Sequence, residues 1–69
     1  MKDELFKLRF YIKDDKYWFT ADYCFATEAD AAKAFKELKS KYDFYDASII
    51  CKDAFSSKIY WSRKLKKED

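Results

Sequence analysis

Phe25-Ala26-Thr27-Glu28-Ala29-Asp30-Ala31-Ala32-Lys33-Ala34-Phe35-Lys36-Glu37-Leu38 carries the signature of an amphipathic helix between two strands. Thr27 is a natural helix N-cap, and Asp30 stands three residues on, where a capping box places an acid. Glu28 and Asp30 suit the positive end of the helix dipole. Ala31, Phe35, Leu38 and Tyr42 recur on one helical face, while Lys33, Lys36, Glu37 and Lys41 occupy the other. The pattern predicts a helix from Thr27 to about Tyr42, with Ala31 and Ala34 small enough to let it lie close to a sheet.

Outward from this helix the chain alternates with period two on both sides. Upstream, Leu5 to Lys13 places Phe6, Leu8, Phe10 and Ile12 on one face. Asp14-Asp15 reads as a turn. Tyr17 to Phe25 reads as a second strand, with Phe19, Ala21, Tyr23 and Phe25 inward. The short gap between the two predicts a hairpin. Downstream, Asp43 to Lys52 directs Tyr45, Ala47, Ile49 and Cys51 one way and Asp46, Ser48, Ile50 and Lys52 the other. Asp53 to Ser57 is a loop around Phe55. Lys58 to Leu65 is a last strand, with Ile59 and Trp61 inward, and Lys66 to Asp69 a charged, frayed tail. The order is ββαββ. The expected fold is α+β, one domain over residues 1–69: a four-stranded, mainly antiparallel sheet with one helix packed on one face.

Composition narrows the function. At 69 residues a single core is marginal, and two Trp, six Tyr and seven Phe supply much of its mass. The chain has no Gly, no Pro and no His. Without glycine there is no glycine-rich phosphate loop and no nucleophile elbow. Without histidine the commonest general base and metal ligand is missing. Asp14-Asp15 and Asp43 with Asp46 read as a turn and a helix-to-strand junction, not as acid–base pairs. Cys24 and Cys51 fall on opposite strand faces, so neither a disulfide nor a zinc site is expected between them. The expectation is a protein that is not an enzyme and takes no cofactor or metal.

The N-terminus runs into strand pattern without an apolar leader segment, and no apolar run is long enough to span a bilayer. A cytoplasmic location with reduced thiols is expected, and no membrane partner.

One helix covers one face of such a sheet, which leaves the other open. The outward strand residues are Lys7, Arg9, Tyr11, Lys13, Trp18, Thr20, Asp22, Cys24, Asp46, Ser48, Ile50, Lys52, Lys58, Tyr60, Ser62 and Lys64. Basic groups outnumber acids there, although net charge is only +2. Trp18, Tyr11, Tyr60 and Ile50 resemble the centre of an interface, where such residues are enriched. The expected partner-binding set is Lys7, Arg9, Tyr11, Lys13, Trp18, Ile50, Lys58, Tyr60 and Lys64. Lysine on an exposed strand also serves simply to discourage edge pairing.

Three functions fit that face. The first is a protein-binding module, an inhibitor or adaptor. The second is single-stranded nucleic-acid binding, with bases stacked on the rings and phosphates on the basic groups. The third is a homo-oligomeric small-ligand or nucleotide binder. The first is preferred, because the charge balance is modest and the two arginines, Arg9 and Arg63, are few for phosphate recognition. Homodimerisation is a further expectation, since it would bury exposed rings and enlarge a small core.

The junction from Phe25 to Phe35 is similar to junctions in many small α+β modules, SPOR peptidoglycan-binding domains and Arm-type integrase domains among them. The likeness covers about a sixth of the chain and reflects helix capping and packing. Arm-type domains place their helix after the strands, whereas here two strands follow it, and no family is assigned. In style the chain resembles small proteins of phages and mobile elements, including inhibitors of host defence, which implies a viral protein.

Overall fold

The computed structural model describes residues 3–13 and 16–68. Five elements follow the chain: β1 (Glu4–Lys13), β2 (Trp18–Phe25), α1 (Glu28–Leu38), β3 (Phe44–Asp53) and β4 (Ile59–Leu65). The fold is α+β in the order ββαββ, an open antiparallel sheet with strand order β2-β1-β3-β4 and one helix. The Asp14-Asp15 turn and Asp69 lie outside the described residues.

β1 is central because its alternation is the strongest. Phe6, Leu8, Phe10 and Ile12 are all buried, and burial of each such side chain stabilises by roughly 1.5–3 kcal/mol. β2 and β3 both run antiparallel to β1 and so parallel to each other. α1 connects them and packs on β1, β2 and β3. Phe35 and Ala31 are its buried residues. Phe35 stacks on Phe10 at 5.8 Å between ring centres, and Phe44 meets both rings edge-on.

The cap forms as the sequence requires. Thr27 is extended, and its Oγ1 accepts the Asp30 amide at 3.1 Å. Thr27→Ala should therefore cost about 1 kcal/mol in urea unfolding; an unchanged midpoint would mean that the cap contributes nothing. The helix ends sooner than its apolar stripe suggests, with Lys39 as C-cap. Tyr42 still packs on the core from the following turn, and its hydroxyl meets that of Tyr23 at 2.8 Å.

Two β-bulges correct the expected facing of residues. Tyr11 pairs with Asp46 but Ile12 pairs with Phe44, so Tyr45 is an extra residue in β3. Phe44 enters the core and Tyr45, expected inward, is exposed. In the same way Cys51 pairs with Trp61 but Lys52 pairs with Ile59, which leaves Tyr60 extra in β4. Ile59, expected inward, thereby joins the open side beside Lys52 and is exposed. A bulge inserts one residue and resets the alternation beyond it. The tail is also less loose than expected: Lys67 Nζ sits 3.6 Å from Asp43 and 5.4 Å from the centre of the Phe44 ring.

Candidate binding face

Cross-strand partners share a face, so the open side is read row by row from β2 to β4. Trp18 lies beside Lys13. Thr20 is followed by Tyr11 and Asp46, and Asp22 by Arg9, Ser48 and Lys64. Cys24 leads to Lys7, Ile50 and Ser62, and a last row holds Leu5, Lys52 and Ile59. Lys7, Arg9, Tyr11, Lys13, Trp18, Ile50 and Lys64 thus share this face, as expected. Cys24 is exposed here, whereas Cys51 is buried on the helix side.

Tyr60 and Lys58 do not belong to it. Tyr60, the bulge residue, packs against the core and donates its hydroxyl to Asp53 Oδ2 at 2.8 Å. Lys58 precedes β4, and its Nζ lies 5.6 Å from the centre of the Tyr60 ring. Alternation carried straight through β4 placed both outward; the extra residue turned them away.

The charges on the face are largely paired within it. Arg9 forms a two-pronged bridge to Asp22, Nε to Oδ1 at 2.8 Å and Nη2 to Oδ2 at 3.0 Å. The Arg9 bond holds the Asp22 carboxyl below the usual carboxylate range, and Lys7 at 3.9 Å adds to this. Reciprocally, Asp22, with help from the Tyr11 hydroxyl, raises the guanidinium above its ordinary value. Asp46 is pinned by the Ala47 amide at 2.9 Å and lies 3.7 Å from Lys64 Nζ. The central Ser48 is buried on the open side of the sheet; its cross-strand neighbours Arg9 and Lys64 are long enough to shield it.

Aromatic mass gathers at the end of the face where β1 ends and β2 begins. Trp18 is 65% exposed and Tyr45 57% exposed, and the Tyr45 ring lies 6.1 Å from that of Tyr11. Tyr45 was missed by sequence reasoning because it is the bulge residue. Adjacent aromatics, Phe44 and Tyr45, were the available signal.

At the opposite end, Asp53 organises the β3–β4 turn. Its Oδ1 accepts the amides of Phe55 and Ser56 at 2.8 and 3.0 Å, and its own amide donates to the Lys58 carbonyl. The Phe55 amide and the Tyr60 hydroxyl hold its carboxyl below the usual range, and the Tyr60 phenol is raised in return. This turn presents Phe55 to solvent. A separate open pocket of about 330 Å³ lies beside the end of α1 and is lined by Lys39, Ser40, Tyr42, Asp43, Phe44 and Lys67. Its lysines are turned to Asp43, to the Lys67 carbonyl and to the Phe35 and Phe44 rings.

Among the described residues no group of three His, Cys, Asp or Glu side chains is placed to hold a metal ion, and no helix is long and apolar enough to cross a membrane. Comparison with protein-family models, curated proteins and solved structures finds no match to this chain.

Proposed function

We propose that this protein is a non-enzymatic protein-binding module, of the inhibitor or adaptor kind, acting through the open sheet face. The observation that carries this reading is the exposure of Trp18 and Tyr45, with Tyr11 half-buried beside Tyr45, on a face whose charges are largely paired within it. Exposed Trp and Tyr on a regular, hydrogen-bonded sheet lose little entropy on binding and suit the centre of an interface. Asp22 and Asp46 lie among the basic groups, where an incoming phosphate would meet carboxylates. That disfavours nucleic acid, whose affinity rests on unpaired cations. The contact set becomes Trp18, Tyr11, Tyr45 and Ile50, with Lys7, Arg9, Lys13 and Lys64 around them.

Trp18→Ala provides the test. The variant should keep its circular dichroism spectrum, since Trp18 lies outside the core. It should fail to recover the partner that the wild type retains from nuclease-treated host extract. Loss of hot-spot aromatics commonly costs 2 kcal/mol or more, about 30-fold in affinity. Wild-type binding to a labelled single-stranded oligonucleotide that falls steeply with salt would instead establish the nucleic-acid reading. An unfolded variant would overturn the assignment of Trp18 to the face.

A further inference from the structure

The two edges of the sheet differ. β4 is guarded in the ways that edge strands usually are. It is interrupted by the Tyr60 bulge, carries Arg63 and Lys64, and is flanked by Lys58, Lys66 and Lys67. β2 has no bulge and carries no cation of its own, and its one flanking lysine, Lys16, stands two residues before it. Its eight residues, Trp18-Phe-Thr-Ala-Asp-Tyr-Cys-Phe25, contain no Lys, Arg, Pro or Gly, and they pair with β1 without a register shift. Its single charge, Asp22, is bound by Arg9 of the neighbouring strand. On the helix side its row is incompletely covered: Ala21, Tyr23 and Phe25 are half-buried, and Phe19 is 44% exposed. A long, regular, nearly uncharged edge with half-covered rings is a template for a further strand.

The geometry points to a second copy of this chain as that strand, paired β2 to β2 antiparallel about a two-fold axis at Ala21. A two-fold axis perpendicular to the sheet keeps each face continuous, so partners must share a face. With Ala21 opposite Ala21 of the second copy, Phe19 meets Tyr23 and Tyr17 meets Phe25 on the helix side. Trp18 meets Cys24, and Thr20 meets Asp22, on the open side. Aromatic cross-strand pairs stabilise a sheet, and like charges directly opposite destabilise it. Moving the axis to Asp22 sets the two Asp22 carboxylates against each other. Moving it to Thr20 shortens the overlap and leaves Phe25 without a partner ring. The strand is therefore self-complementary in one register. The product is an eight-stranded sheet in which two open faces lie side by side.

Charge substitutions at Thr20 read this register, because Thr20 is exposed and lies opposite Asp22 of the second copy. Sedimentation equilibrium of the wild type, up to millimolar concentration, should show a monomer–dimer equilibrium. Thr20→Asp places like charges opposite each other twice per dimer and should raise the dissociation constant by about tenfold. Thr20→Lys creates two opposite-charge pairs and should keep or tighten the dimer. Circular dichroism of both variants should match the wild type. In a Cys24→Ser background, Ala21→Cys should form a disulfide-linked dimer under mild oxidation. A wild type that stays monomeric throughout would overturn the proposal. So would a dimer indifferent to Thr20→Asp, or one that both Thr20 substitutions abolish.

Discussion

Phe35→Ala should destabilise the protein by about 3–5 kcal/mol. Phe35 is 2% exposed and is the only large buried side chain that α1 contributes. Its ring lies 5.8 Å from those of both Phe10 and Phe44, so its removal opens a hole where the helix meets the two central strands. The surrounding rings cannot collapse into that hole without leaving one another. A domain of this length sits at the low end of the usual 5–15 kcal/mol stability range. The variant should lose most of its cooperative transition in chemical denaturation. A midpoint close to that of the wild type would show that α1 docks through a different face.

The helix and the central strand were legible because each carries a long, one-sided signal. Thr27 with Asp30 marks one end of α1, and Ala31, Phe35 and Leu38 mark its buried face. In β1 four consecutive inward positions are large and apolar. The bulges were not legible, and both fall at an aromatic pair: Phe44-Tyr45 in β3 and Tyr60-Trp61 in β4. Where two adjacent residues are equally able to bury a ring, alternation holds no record of which one does so. The inserted residue then carries Ile59 outward and Tyr60 and Lys58 away from the face.

Pairing of the charges was hidden for a different reason. Arg9 and Asp22 are opposite one another only in the particular register of the β1–β2 hairpin, and Lys64 reaches Asp46 only because β4 lies beside β3. A list of outward residues counts their signs but not their distances. Counted, the face is basic; with strand order imposed, its acids sit against its strongest cations. Salt should accordingly affect this face less than its composition suggests, because a charge already matched at 2.8 Å releases few counterions when a partner arrives.

Phe44→Ala and Tyr45→Ala should differ sharply, although the residues are adjacent and both aromatic. Phe44 is 4% exposed, with its ring 5.1 Å from Phe10 and 5.8 Å from Phe35. Its removal should cost about 3–5 kcal/mol, as for other buried rings. Tyr45 is 57% exposed and packs beside Tyr11 on the solvent side, and a surface substitution of that kind usually changes stability by about 0.5 kcal/mol or less. The functional effects should run the other way. Tyr45→Ala removes a ring from the exposed cluster with Tyr11 and should weaken partner binding while the fold persists. Urea denaturation of the two variants, beside the Trp18→Ala binding assay, separates these outcomes. Strict alternation through β3 predicts the reverse order of stabilities, with Tyr45 inward beside Ala47 and Phe44 in solvent. If Tyr45→Ala unfolds the protein and Phe44→Ala does not, the bulge is absent, and Tyr11 and Trp18 stand on the open face without their third ring.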